Sequence, residues 1–210
     1  MENRHLLKDK EFLRRHILRL QDLNKPQDFQ TLFSRPAPLV LDIGSGKGEF
    51  ATTMATLFPN LNFLCIEKRP DRTLATAKRK LKNNLDNLFV FQGKIEHLIP
   101  HCFFRNSVHK AFMNFPDPWP KNAYRNRRNL NPEFLNEIYD LLETGGDFHF
   151  ATDVKDYAEY AYSLLSQHPG FKNQNTAPWL TEVSSEYKTL FYHHAAKDGF
   201  SSHFLHFKSV

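Results

Sequence analysis

Short apolar runs recur along the chain: Pro38 to Gly44 (PLVLDIG), Asn62 to Lys68 (NFLCIEK), Asn87 to Gly93 (NLFVFQG), Val108 to Phe115 (VHKAFMNF) and Gly146 to Asp153 (GDFHFATD). Their length and near-continuous apolar character predict buried strands. Between them the apolar positions take a helical spacing. Leu74, Ala77 and Leu81 share one face, Phe134, Ile138 and Leu141 a second, and Tyr157, Ala161 and Leu164 a third. Asn131 suits the cap of the second helix, Pro132 its first turn and Gly145 its stop. Strands alternating with helices predict an α/β fold, a parallel sheet covered on both faces. Past Pro169 the pattern changes to two aromatic-rich runs joined through Asp198-Gly199, which predicts a strand–loop–strand pair. Residues 1–35 read as an N-terminal extension, with Phe12, His16, Ile17, Leu20 and Leu23 on one face of an amphipathic helix, and residues 36–210 as a single domain.

Composition narrows the setting. With 40% hydrophobic residues and 20 Phe among 210 positions, the chain has enough apolar mass for one packed core. It has no run of about 18 apolar residues and no apolar signal region near its start, so the expected location is the cytoplasm. Its two cysteines give neither a metal spacing nor a disulfide framework, and Cys65 reads as a reduced, buried thiol. The histidines, among them His149, His203 and His206, show no metal-ligand spacing in sequence, so no metal is expected. The net charge of +5 is modest, but it is clustered. Lys68 to Lys82 holds seven basic residues and one acid, and Lys121 to Arg128 holds four and none. Such clusters suit a polyanion through phosphate contacts, or else form solvated faces.

Candidate chemistry begins at the end of the first strand, in LDIGSGKGEF. A P-loop would need a glycine where Leu41 stands and Ser or Thr where Gly48 stands. A dinucleotide fingerprint would need its third glycine at Glu49. The observed order is an acid, Asp42, two positions before Gly44, then Gly46 and Gly48, a pattern typical of S-adenosylmethionine (SAM) loops. SAM carries cationic groups and no phosphate, so a carboxylate at the strand end suits it. Glu67 ends the second strand, where it can accept both ribose hydroxyls. Other nucleotides and a purely structural turn remain alternatives for this loop.

The fourth strand leaves the core through NFPDPWPKNAYRNRRNL. Pro116 and Pro118 stiffen the chain on both sides of Asp117. A stiff loop presenting one carboxylate and one indole suits a preorganised base pocket, whereas a structural turn with Trp119 in the core is the plainer alternative. In an open α/β sheet ligands bind beyond the carboxyl ends of the strands, so Asp117 is expected beside the methyl donor as well as the base.

FPDPWPK followed by an Arg-rich stretch, with ATD closing the next strand, resembles the bacterial tRNA (guanine-N7-)-methyltransferases from about Leu39 onward. The resemblance implies a Rossmann-like class I SAM-dependent methyltransferase fold, with a mostly parallel seven-stranded sheet, an antiparallel C-terminal strand and helices on both faces. It implies SAM as methyl donor, tRNA as partner and a variable-loop guanosine as target, in a monomer or homodimer with no obligate protein partner. Residue by residue it assigns Asp42 and Glu67 to SAM, Asp117 to the active centre, and Lys121 and Asp153 to the substrate. Thr181 would open the family's T-x-[FY]-E motif. Arg127 and Arg128, with Lys121 and Arg125, would hold RNA phosphates. The chain departs from the family pattern at Val183 and Ser184 in that motif, at Lys94 where an acid is usual (Glu96 stands nearby), and at Ala123, Tyr124 and Asn126 in the basic stretch. The thinned stretch shifts part of the expected RNA grip to the extension or to the Lys68–Lys82 face. Two other readings stay open: a SAM-dependent enzyme acting on an exocyclic base amine of RNA, and a non-catalytic RNA-binding module on the same fold.

Overall fold

The structure, a computed structural model, describes residues 6–20, 29–120 and 122–210. The chain divides into two compact units, Met1–Phe104 and Arg105–Val210.

In the first unit, β1 (Ile17–Arg19), β2 (Leu39–Ile43), β3 (Asn62–Glu67) and β4 (Leu88–Gln92) run in the order β1-β4-β3-β2, all parallel. Every residue of β2 and β3 is buried, as a central strand covered on both faces requires. The helices are α1 (Lys10–Arg14), α2 (Glu49–Leu57), α3 (Pro70–Lys82) and α4 (Ile95–Cys102). The amphipathic helix expected in the extension is cut short. Asp9 caps α1 by accepting from the amides of Glu11 and Phe12, and the chain then turns into β1, where Leu18 pairs with Phe91. The exposed edge of β4 offers Ile17 and Leu18 backbone partners that a longer helix would forgo. Leu23 lies outside the described residues. On α3 the buried stripe is Thr73, Thr76 and Ala77, while Leu74 and Leu81 are only half-buried.

In the second unit, β5 (Val108–Asn114), β6 (Leu142–Thr152), β7 (Phe171–Asn173) and β8 (His203–Ser209) run in the order β5-β6-β8-β7. β5 and β6 are parallel, and β8 is antiparallel to both β6 and β7, as expected of the last strand. The helices are α5 (Pro132–Leu141), α6 (Lys155–Gln167) and α7 (Leu190–Lys197). Asn131 caps α5 by accepting from the Phe134 amide at 2.9 Å. The helix stops before Gly145: β6 already begins at Leu142 and spends five residues, Leu142 to Asp147, where β5 spends two. Gly145 (φ 79°) serves this bulge, and Gly146 passes so near the carbonyls of Glu143 and His109 that a Cβ would lie 2.8 and 3.1 Å from them. Ser209 ties β8 to the bulge, donating to the Glu143 carbonyl and accepting from the Gly146 amide.

The first aromatic run of the tail is helical, α7, and not a strand. Thr189 caps it by accepting from the Tyr192 amide, and Asp198-Gly199 ends it, with Gly199 at φ 79°. A local cap at each end outweighs the strand propensity of Phe191 and Tyr192. Among the described residues no helix is long and apolar enough to cross a membrane.

Candidate active site

The glycine loop closes the β2 end in the first unit. The amides of Gly44 and Ser45 both donate to the Ile66 carbonyl, at 2.8 and 3.1 Å, which folds the loop back over β3. Gly44 and Gly46 have φ of 75° and 59°, and a Cβ on either would meet nothing within 4 Å, so their backbone faces open space. Gly48 is fixed by crowding instead: its φ is 74° and a Cβ would lie 2.4 Å from Thr76. Glu67 is buried and orders the loop, accepting from the Gly46 amide at 3.1 Å and the Arg69 amide at 2.8 Å.

Asp42 carries a marked electrostatic signature. It is 3% exposed, and one of its carboxylate oxygens has no hydrogen-bond partner among the described residues. Burial, then the neighbouring charges of Glu67 and Glu49, push its pKa up to about 7. A buried, under-bonded carboxylate beside a second acid is an acceptor site for a cationic ligand. The open glycines and the two carboxylates therefore fit SAM, with its ammonium, sulfonium and ribose hydroxyls. Cys65, on the same strand as Glu67, is buried with its thiol pKa pushed up by that burial, so it is held as the thiol.

Along the basic run Lys68–Lys82 three of the seven cations pair with an acid and a fourth lies over a ring. Arg69 pairs with Asp71 at 3.0 Å, Arg72 with Glu67 at 3.6 Å and Arg79 with Glu49 at 2.5 Å, and the Lys80 ammonium lies 3.9 Å over the Phe89 ring. Lys68, Lys78 and Lys82 remain exposed on that run.

In the second unit, Asp117 follows the end of β5 and is exposed; Asp153 follows the end of β6 and is half-buried. These strands are parallel neighbours, with Asn114 opposite Ala151 and the Phe115 amide donating to the Ala151 carbonyl at 2.7 Å. The two carboxylates thus leave adjacent strand ends on the same edge. Arg127 is exposed, its guanidinium 5.1 Å over the Trp119 ring and 4.7 Å over the Tyr124 ring. Trp119 is half-buried, set edge-on to Tyr124.

Arg128 behaves differently from the phosphate ligand expected of it. Its side chain is 3% exposed. Its Nε donates to the Pro118 carbonyl at 2.9 Å, its terminal nitrogen pairs with Asp156, and its guanidinium lies 4.4 Å over the Tyr157 ring. A guanidinium engaged on all these sides braces the loop that bears Asp117. Lys121 lies outside the described residues.

Thr181 sits exposed on a bend, between Leu180 and Val183, which line a cavity with Asn114 and Ala151. A second match to T-x-[FY] was legible eight residues on: Thr189-Leu190-Phe191, with Tyr192 where the family has Glu. Thr189 is buried as the cap of α7, and Phe191 stacks on Phe115, two residues before Asp117.

Antiparallel pairing of β6 with β8 also brings together Asp147, His149 and His206, which sequence spacing did not suggest. Their potential ligand atoms lie within 4.8 Å of one another. The three side chains are also held by stacking and hydrogen bonds. The two imidazoles lie face to face at 4.2 Å and 13°, and Asp147 is bonded to Lys110 at 2.7 Å and His206 at 2.9 Å. Burial, then the charge of His206, lowers the His149 pKa to about 3 and keeps it neutral. This ring lines a cavity of about 290 Å³ with Phe112, Asn114, Val183, Tyr187 and His206.

Comparison with known proteins places the chain in a family. Residues 36–198 match the model of a family described as putative methyltransferases. A tRNA (guanine-N(7)-)-methyltransferase of Syntrophotalea carbinolica is 31% identical over 91% of this chain and 82% of its own length. The chain belongs to that enzyme family. Further tRNA (guanine-N(7)-)-methyltransferases, from Hydrogenovibrio crunogenus and Pseudomonas syringae, are 36% and 34% identical over 74% and 76% of this chain, and the matches span 64% and 66% of their lengths. Among solved structures, an antibiotic-related methyltransferase is similar at TM-score 0.62 and 18% identity, covering 96% of this chain and 94% of its own. TrmN from Thermus thermophilus is similar at TM-score 0.59 and 17% identity, covering 87% of this chain and 47% of its own. These likenesses carry the fold. As a member of the tRNA (guanine-N(7)-)-methyltransferase family, the chain has the class I methyltransferase fold expected of it, and the family's FPDPW string is the loop that Arg128 braces.

Proposed function

We propose that the protein transfers the methyl group of SAM to N7 of a guanosine in the variable loop of tRNA. The observation that carries the reading is the pair of carboxylates, Asp117 and Asp153, leaving adjacent strand ends, one of them held between prolines. Guanine presents two adjacent donors, N1–H and the exocyclic amine, and two acceptors at a strand edge suit that pattern. When bound, SAM supplies an electrophilic methyl group on a sulfonium.

The chain's residues have positioning and electrostatic work. N7 carries an in-plane lone pair and no proton, so the attack needs no general base. It needs alignment of the acceptor nitrogen with the methyl group and sulfur. Asp117 orients the base and stabilises the positive charge that the purine gains, and Asp153 is the second acceptor. Asp42 meets the donor's cationic groups, Glu67 its ribose, and Gly44 and Gly46 admit it close to the backbone. Arg127 and Lys121 hold phosphates, without reading sequence. No metal is required, because no water or hydroxyl has to be activated. In this reading residues 36–210 form the catalytic domain and residues 1–35 an extension to it, acting in the cytoplasm.

Transfer of labelled methyl from SAM to tRNA, followed by chemical cleavage at N7-methylguanosine, tests the reaction. Label on an exocyclic amine would favour the alternative enzyme, and absence of SAM binding the non-catalytic module. Asp117→Ala should lower turnover by about 100-fold or more while SAM binding survives, the scale of losing one preorganised electrostatic contact. Undiminished transfer in that variant would remove Asp117 from the active centre.

A further inference from the structure

The backbone turns sharply on both sides of Asp117. Phe115 and Trp119, two residues before and two after it, have φ of 50° and 42°. Bulky side chains in the left-handed region are uncommon and persist where the surroundings impose them. At Phe115 the turn sends the ring against Phe191, at 6.0 Å between centroids and 17° between planes. Phe191 nevertheless remains 56% exposed, and Leu190 beside it 48%. Their helix, α7, buries only Ala195. The exposed remainder of the helix carries His193, His194, Ala196 and Lys197, and Asp198 caps its C-terminal end.

An open aromatic face with hydrogen-bonding side chains and a lysine along its helix, backed by a second ring at the strand end that leads to Asp117, has the make-up of a single-strand nucleic-acid platform. Such platforms pair a π-surface, which any base can stack on, with side chains that follow the phosphates. The proposed reaction gives such a platform a task. A guanosine presented for methylation leaves its own stacking contacts, and the base next to it loses a neighbour.

We propose that Phe191, backed by Phe115, stacks the nucleobase adjoining the target guanosine, with Lys197, His193 and His194 along the flanking phosphates. The proposal rests on RNA being the substrate. Its test is therefore set on binding as well as on transfer.

Binding of a tRNA transcript carrying 2-aminopurine beside the target would be followed by fluorescence in the presence of S-adenosylhomocysteine, for the unaltered protein and for Phe191→Ala, Phe191→Leu and Phe191→Trp. Loss of the ring in Phe191→Ala should weaken RNA binding roughly 5- to 150-fold, the span of one base–aromatic stack, and should abolish the quenching of 2-aminopurine. Stacking is not ionic, so the dependence of affinity on salt should keep its slope. Phe191→Trp should retain affinity and quenching, and Phe191→Leu should resemble Phe191→Ala. Unchanged affinity in Phe191→Ala, or full recovery in Phe191→Leu, would overturn the platform. If the unaltered protein places no methyl group at N7, the proposed reaction fails, and the binding series still decides whether Phe191 stacks a base.

Discussion

Replacing Asp42 by Asn should stabilise the protein and disable it. The carboxylate is buried, one oxygen lacks a partner among the described residues, and its pKa is pushed from 3.8 up to about 7 by burial and then by Glu67 and Glu49. Between those two values the folded state holds more protons than the unfolded chain, so stability falls as pH rises from about 4 to 7 and stays reduced above it. At 1.36 kcal/mol per pH unit, the interval from 3.8 to about 7 sets a ceiling of about 4 kcal/mol at pH 8. Asn removes the charge and keeps the shape. A gain of about 2 kcal/mol, half the ceiling, would raise Tm by roughly 4–8 °C in a chain of this size. At pH 5, where the folded-state carboxyl is mostly protonated, less than half of the ceiling remains to be recovered. Denaturant titrations at pH 5 and pH 8 measure both gains, and thermal scans with SAM measure the loss: the unaltered protein should be stabilised by ligand and Asp42→Asn should not. Calorimetry adds an independent arm, because SAM affinity of the unaltered protein should rise with pH towards 8 as Asp42 ionises. A variant no more stable than the parent at pH 8, or equally stabilised at both pH values, would refute the reasoning.

Arg128→Ala should cost about 1–3 kcal/mol in denaturant unfolding, since it removes a buried guanidinium's bond to the Pro118 carbonyl, its pairing with Asp156 and its packing on the Tyr157 ring. It should leave the salt slope of tRNA binding intact, whereas Arg127→Ala should reduce that slope by about one phosphate's worth. Gly48→Ala should destabilise by about 1–3 kcal/mol, combining a strained φ of 74° with a contact 2.4 Å from Thr76, and the double variant with Thr76→Ala should recover the steric share by thermal unfolding.

What the sequence made legible was local or periodic. The strands around Leu41, Leu64, Val90, Phe112 and Phe150 declare themselves by unbroken apolar character, and Asn131-Pro132 marks a helix start by capping chemistry alone. Asp42, Glu67 and Asp117 stand out because strand ends are where ligands meet an open α/β sheet, and Asp153 through the family resemblance. What escaped depends on pairing across distance. Nothing local shows that Arg128, unlike its neighbour Arg127, turns inward to Asp156, or that the Asp147, His149 and His206 side chains meet through an antiparallel register. The bulge before Asp147 hid behind two glycines that read equally well as a helix stop. The tail is helical and not extended because of Thr189, a cap whose signal in the sequence is masked by aromatic residues of high strand propensity.

The placement of β8 between β6 and β7 bears on how the chain is made. Strands β5, β6 and β7 leave the ribosome well before β8 does, and until it arrives β6 has an open edge of backbone groups beside apolar residues such as Phe148 and Phe150. At roughly 5–20 residues per second, the 51 positions from Thr152 to its strand partner His203 take several seconds to synthesise. For that time the half-built unit is a target for chaperones and for association with other nascent chains. A substitution that slows β8 docking would therefore lower the yield of folded enzyme before it changed the properties of the enzyme that does fold.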